Sequence, residues 1–155
     1  MITWNDKDID YIDNGNNIKE YEGFVYQITE RKTGRIYYGI KKFWKTVKKK
    51  PTKFKLNHDG SYAKDKKGKR ILNTRTTKKH SRAESDWRTY KTSSPIMQKN
   101  LEETPDDYDC QIIILCKSVT EMKAQEAYLQ IKHYIEGDWE KLINEVINLR
   151  IRIRK

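Results

Sequence analysis

Two runs rich in β-branched and aromatic residues, Gly23 to Thr29 (GFVYQIT) and Arg35 to Ile40 (RIYYGI), stand a few residues apart. Between them Glu30-Arg-Lys-Thr-Gly34 has the length of a hairpin connection, and Gly34 can take positive φ. A β-hairpin is therefore expected. Gln111 to Leu115 (QIIIL) is a continuous apolar run, the pattern of a strand buried on both faces. Ser118-Val-Thr-Glu121 then offers a capping box, and the helix it opens runs to about Ile135, with Gly137 as its stop. On that helix Met122, Gln125, Glu126, Leu129 and His133 fall near one face by the 3.6-residue period. Residues 84–101 predict a further helix, or a pair of helices interrupted by Pro95. No internal repeat and no heptad pattern is evident. The order predicts an α/β (α+β) fold, a small three-stranded antiparallel sheet flanked by helices and carrying a long basic insertion.

At 155 residues the chain suits one domain with one core. It holds 33 basic against 22 acidic side chains, a net charge of +11 that favours polyanions, nucleic acid before an anionic membrane. The charge is segregated. Residues 1–22 set Lys7 and Lys19 against Asp6, Asp8, Asp10, Asp13, Glu20 and Glu22, and read as an acidic, loosely packed lead-in. Residues 41–82 set 17 Lys or Arg against Asp59 and Asp65. With Pro51, Gly60 and Gly68 and little periodicity, that stretch reads as an exposed insertion that orders when a polyanion binds. The main domain is then 23–150, followed by a basic tail at 151–155. No apolar run reaches the length of a membrane span, and the N-terminus lacks the apolar stretch of a signal peptide. The basic run also lacks an amphipathic helical pattern, which argues against a membrane surface. A cytoplasmic protein of a bacterial or phage-infected cell is expected. Cys110 and Cys116 are too few for a disulfide framework and lack zinc spacing, so both read as small buried hydrophobes.

Chemistry enters with Tyr26 on the first hairpin strand and Tyr37 on the second, which share one face if the register allows. Paired aromatics are ordinary cross-strand stabilisers, so spacing alone does not make them a site. Glu126 adds weight, because a carboxylate directed at a core is costly unless it is paired or holds a metal. A bond to Lys123 or Lys132 is the plain alternative.

Together these residues resemble the GIY-YIG endonucleases. The first motif stands as Gly23-Phe24-Val25-Tyr26 and the second as Tyr37-Tyr38-Gly39. Glu126 in EAYL resembles the family's metal-binding glutamate, and Asn144 in LINE the asparagine that closes the domain. The resemblance spans about residues 23–150, and its specificity comes from motif order. YYGIKKFW, ESDWRTYKTSS and LINEVINLRIR are similar to a phage-encoded branch described as homing endonucleases. Two departures stand out. Lys91-Thr92-Ser93-Ser94 occupies the place of Tyr-Gly-Ser-Ser, and Val47 falls where the family carries an arginine. Lys42 or Lys48 could replace that arginine, or Arg88 beside Trp87, whose planar fork suits a phosphate better.

The resemblance implies metal-dependent hydrolysis of phosphodiester bonds in double-stranded DNA. Tyr26 would be the general base or its relay, with its phenolate stabilised by Lys42 or Arg88. Tyr37 would hydrogen-bond the water or phosphate, Glu126 would bind one Mg²⁺ or another divalent cation, and His80 is a further helper candidate. The 41–82 stretch is expected to grip DNA through Lys41, Lys45, Lys48, Lys49, Lys50, Lys53, Arg75, Lys78 and Lys79. Trp44, Phe54 and Tyr62 would stack on bases or wedge a groove, or else anchor the insertion as a small cluster. Cutting both strands would need a homodimer, sequential nicking or reorientation on the duplex. The competing expectation is a nucleic-acid-binding module on a nuclease-like fold, without catalysis.

Overall fold

The computed structural model describes Trp4 and residues 18–48, 53–73 and 80–145. Strand β1 (Gly23–Glu30) is the centre of a three-stranded antiparallel sheet in the order β2-β1-β5, with β2 at Ile36–Lys42 and β5 at Tyr108–Cys116. The hairpin closes as its sequence suggests. Arg31 to Thr33 turn the chain, Gly34 takes φ 71°, and Glu30 N–H donates to the Arg35 carbonyl at 2.8 Å. Central β1 pairs on both edges. Strand β5, which carries the more apolar run, lies at an edge of this sheet among the described residues and is half-buried over most of its length rather than buried on both faces. Among the described residues there is also a two-stranded sheet, β3 (Trp44–Lys48) with β4 (His80–Glu84), which the sequence pattern did not suggest.

Two helices cover the three-stranded sheet. Helix α1 (Pro95–Glu103) begins at Pro95, so the proline starts a helix where an interruption was expected. Its fixed φ suits the first turn, and Ser94 caps the helix by accepting from Met97 N–H. Residues 84–91 are not helical: Trp87 to Thr89 form a turn. Burying Trp87 in the core, with its indole N–H donated to Glu84 at 2.7 Å, overrides the helical pattern. Helix α2 (Val119–Glu136) is capped by Ser118, whose Oγ accepts from Glu121 N–H at 3.1 Å. Glu121 reaches back to Lys117 N–H rather than to Ser118 N–H, a capping box displaced by one residue. Gly137 ends the helix in the left-handed conformation.

The chain divides into two compact units, residues 1–44 with 84–155, and residues 45–83. The second is built on a structural repeat within residues 53–73, where the sequence shows no internal repeat. Runs 53–57, 61–65 and 69–73 each bond to both of the others. Lys55 N–H donates to Ile71, Ile71 to Ala63, and Ala63 to Lys55, which closes a ring. A second ring of bonds, Asn57 to Ser61, Asp65 to Lys69, and Asn73 to Lys53, runs in the opposite cyclic direction. Isolated bridges Phe54↔Leu72, Leu56↔Tyr62 and Lys64↔Arg70 complete the pseudo-threefold arrangement. Gly60 and Gly68, both at positive φ, occupy equivalent turns. Residues 53–73 are thus regular, against the expectation of a stretch without periodicity. Only the turn residues keep their type between repeats, so self-similarity is weak while the bonding pattern is strict.

Strand alternation divides the core of the first unit. Phe24, Tyr26 and Ile28 face a cluster with Phe43, Trp87, Met97 and Leu101, whereas Val25 faces Cys116 and Met122 beneath α2. A register shift opposite Val25 and Tyr26 places Ile113 and Ile114 on the α2 side, with Ile112 and Leu115 on the other. Cys110 and Cys116 are buried free thiols. Trp4, within the segment expected to be a loose lead-in, is itself a core residue. It is 2% exposed, packs edge-on against Phe24 at 5.2 Å, and donates its indole N–H to the Trp87 carbonyl at 2.7 Å. Trp4→Ala should destabilise the protein by about 3–5 kcal/mol, the usual loss for a buried indole, in denaturant melts. A change below about 1 kcal/mol would return Trp4 to the periphery.

Candidate active site

The hairpin register decides the geometry. Tyr26 pairs with Gly39 and Ile28 with Tyr37, so Tyr26 and Tyr37 share a face and their rings lie 6.3 Å apart. The Tyr26 phenol lies across Gly39, and a Cβ at that position would collide with the phenol ring and oxygen. Gly23 is constrained likewise, because a Cβ there would run into the Lys41 carbonyl and the Met122 sulfur. Both motif glycines are therefore required by close approach.

Around the two tyrosines stand residues that sequence reasoning did not assign to the site. Tyr26 donates its hydroxyl to Thr92 Oγ1 at 3.1 Å, and Thr92 is itself buried. The Tyr90 ring meets Tyr26 edge-on at 6.1 Å. Lys41 Nζ sits 3.7 Å over the Tyr90 ring and 2.7 Å from Asp86 Oδ1, with a side chain only 15% exposed. Lys41 was expected among the DNA-gripping lysines; it is the cation of the tyrosine cluster. Its place two residues after Gly39, on the same face by strand alternation, was the signal available in the sequence.

Burial sets the proton chemistry. Tyr26 is fully buried, and desolvation raises its pKa far above the usual tyrosine value, outweighing the Thr92 bond that lowers it. Burial also raises Tyr90, opposed by bonds to Ser93 and Tyr26. Tyr26 is accordingly a neutral hydroxyl at ordinary pH, not a free phenolate. Tyr37, partly buried, is the more accessible of the motif pair.

The remaining expected residues lie apart from this cluster. Lys42 is exposed at the end of β2, opposite Gly23. Arg88 lies 3.4 Å from Glu84 and 4.4 Å over the Trp87 ring, exposed on the turn. Asn144 acts as a clamp: Tyr38 N–H donates to its Oδ1, and its Nδ2 donates to the Tyr38 carbonyl, both at 2.8 Å. It fastens the outer edge of β2, beside the bridge between Ile36 and Leu142. On the opposite side of β2 from Tyr37, Tyr38 bonds His133 at 3.1 Å and His133 bonds Asp138 at 2.8 Å. Lys45 and Lys53 are exposed in the second unit. Lys49, Lys50, Arg75, Lys78, Lys79 and the basic tail lie outside the described residues, as do the side chains of His80 and Lys48.

Glu126 lies on α2, the helix that packs on the Val25 side of the sheet, across from the tyrosine cluster. Among the described residues its carboxylate has neither a hydrogen bond nor an ion pair; Lys132 instead faces Glu136 at 3.8 Å. Burial pushes Glu126 up to about 7, with the nearby Lys123 opposing. One turn on, Gln130 is buried and its Oε1 has no partner. An uncompensated carboxylate and an orphaned amide oxygen on one helical stripe are the oxygen donors a hard divalent cation takes.

The family model described as "Putative endonuclease segE, GIY-YIG domain" matches residues 4–141. The chain belongs to the GIY-YIG family. No curated protein and no solved structure matches it. The match begins at Trp4, which is part of the core cluster with Phe24 and Tyr26. Membership supports nuclease activity on DNA. Among the described residues no helix is long and apolar enough to cross a membrane.

Glu126 gives a test that does not depend on activity. A glutamate ionises near 4.5 in the unfolded chain and near 7 here, so folding favours its protonated form. That stabilisation is present below the unfolded value and is lost as pH rises through about 7. In metal-free buffer the melting temperature of the wild type should fall relative to Glu126→Gln across that interval. A constant difference between the two would mean a solvated carboxylate.

Proposed function

We propose that the chain is a metal-dependent endonuclease that hydrolyses phosphodiester bonds in double-stranded DNA. The observation that carries this reading is the tyrosine cluster seated on Gly39 in a GIY-YIG chain, accompanied by an uncompensated carboxylate at Glu126. Structure built only for packing would not need the second feature. The resemblance extends the proposal to a phage-encoded enzyme serving homing or the destruction of competing DNA.

The cation would be held by Glu126, with the Gln130 amide oxygen behind it. Among the described residues no three His, Cys, Asp or Glu stand together, so a closed protein cage is not available. Mg²⁺ suits such a site, because it retains several waters and takes one or two carboxylates together with substrate phosphate oxygens. Bound there, it would polarise the phosphoryl group and favour departure of the 3′ oxygen.

The chain's own groups supply the rest. Tyr37 would hydrogen-bond the attacking water or the phosphate; because Glu126 belongs to the helix on the other side of the sheet, a phosphate touched by both would have to pass over a sheet edge. Tyr26, kept neutral by burial, would act as a relay and not as the base itself: its oxygen would take a proton from the attacking water as its own hydroxyl proton, held by Thr92 in the free protein, passes to a phosphate oxygen of the substrate. We assign the charge role to Lys41 rather than to Lys42 or Arg88. Its ammonium lies against Tyr90, beside the hydroxyl row, where a cation favours an anionic phosphate or phenolate. The second reading, a binding module without catalysis, is favoured by the complete burial of Tyr26.

Variant proteins separate the two. Glu126→Gln should abolish cleavage and leave DNA affinity nearly unchanged. Tyr26→Phe keeps the ring and should lower cleavage by roughly 10²-fold, the scale of a positioned proton-transfer group. Tyr38→Phe also removes a hydroxyl, costs about 1 kcal/mol of stability through His133, and should cut DNA normally. Undiminished cleavage by a well-folded Tyr26→Phe protein would remove Tyr26 from the chemistry.

A further inference from the structure

The second unit is a small closed β-structure whose surface pairs unneutralised cations with exposed apolar rings. Residues 53–73 carry seven Lys or Arg and only Asp59 and Asp65. Both carboxylates are committed to their own turns. Asp59 accepts from Ser61 N–H and Oγ, and Asp65 accepts from Lys67 and Lys69 N–H at 2.9 Å. Among the described residues none of the seven cations is ion-paired. Phe54, Leu56, Tyr62 and Leu72 are 37–55% exposed, and the bridges set Leu72 beside Phe54 and Leu56 beside Tyr62. Four contiguous exposed apolar side chains rimmed by cations are an interaction surface, not an incidental feature.

The rings are arranged in a particular way. Phe54, Tyr62 and Arg70 hold the same position in the three repeats, and the pseudo-threefold bonding brings them together. Phe54 and Tyr62 meet edge-to-face at 5.9 Å, and the Arg70 guanidinium lies 4.4 Å over Tyr62. A shelf that stacks unpaired bases needs open ring faces. Here the face of Tyr62 is taken by Arg70 and the ring planes cross, so the cluster presents a compact tip. Apolar tips flanked by cations suit insertion into the minor groove, where they part base steps and bend the duplex. Such binding reads deformability more than base edges.

We propose that residues 53–73 form a wedge that engages double-stranded DNA, with Phe54 and Tyr62 pressed into a groove while the Lys66–Lys67 turn holds phosphates. The proposal rests on the nuclease reading for the identity of the polyanion and deepens it by naming how the duplex is held.

The test uses the full chain in EDTA, so that binding is measured without cleavage, on a duplex end-labelled with a fluorescence-transfer pair. Wild type should bind the duplex in preference to the single strand and raise transfer by bending it. Lys66→Gln/Lys67→Gln should reduce the slope of log affinity against log salt by about 2, one unit per lost phosphate contact, and keep the bend. Phe54→Ala should weaken binding several-fold and relax the bend without changing that slope. Leu56→Ser, at the most exposed apolar position of the four, should act in the same direction with the melting temperature unchanged. Wild-type affinity and bend in both apolar variants would overturn the wedge, as would preference for single-stranded DNA or a loss confined to melting temperature. Plasmid cleavage with Mg²⁺ by the same proteins keeps the two ideas apart. Cutting by wild type with bend-neutral apolar variants would sink the wedge alone, and bending without cutting would sink the nuclease reading alone.

Discussion

The structure of the first unit depends on one contact, the Tyr26 phenol lying across Gly39. It fixes the hairpin register, since only the pairing of Tyr26 with Gly39 removes the Cβ that would block the ring. That register turns Tyr37 to the same face and Tyr38 to the other, where Asn144 clamps its backbone and His133 its hydroxyl. A slip by one residue would exchange the two faces of β2 and carry Tyr37 away from Tyr26. The contact also draws in the loop after the turn at Trp87, because the buried Tyr26 hydroxyl finds its acceptor in Thr92. Satisfying one buried polar group therefore places Tyr90, and with it Lys41.

Much of this was legible in sequence, and the reasons differ by element. The hairpin, the existence of β5 and the Ser118-capped helix are legible because each is specified by local chemistry: alternation with a positive-φ glycine, an apolar run, a capping hydroxyl. The edge position of β5 is not, because strand order is set by pairing across the fold. Pro95 looks like an interruption only because residues 84–91 before it carry a helical pattern; once Trp87 is buried in a turn, the same proline, with Ser94 as cap, starts the helix. The segment around Trp87 defied its helical pattern because tertiary burial of one indole outweighs propensity. Trp4, isolated in an acidic stretch, has no local pattern to mark it as core. The repeat in 53–73 keeps its hydrogen bonds while changing its side chains, which hides it from any comparison of residues. Within the candidate site, Tyr26, Tyr37 and Glu126 were named from the resemblance, while Thr92, Lys41 and Gln130 emerged from contacts across the fold.

The two units divide the chain's charge and chemistry. The first holds hydroxyls, one half-buried cation and an uncompensated carboxylate within a tight core. The second holds exposed cations whose only local carboxylates are spent on turns. A polyanion bound by the second would neutralise charge that nothing within it offsets, and a divalent cation on the first would relieve a carboxylate that folding disfavours. Both units are thus left electrostatically incomplete in ways that DNA and Mg²⁺ would complete.

The central claim is that this GIY-YIG chain cuts DNA with a divalent cation. Incubating the purified protein with supercoiled plasmid, in Mg²⁺ and in EDTA, tests it most directly. The account expects open-circular and then linear plasmid in Mg²⁺, with the supercoiled form unchanged in EDTA. Retarded but uncut plasmid in both conditions would contradict it and identify the chain as a DNA-binding module on a nuclease fold.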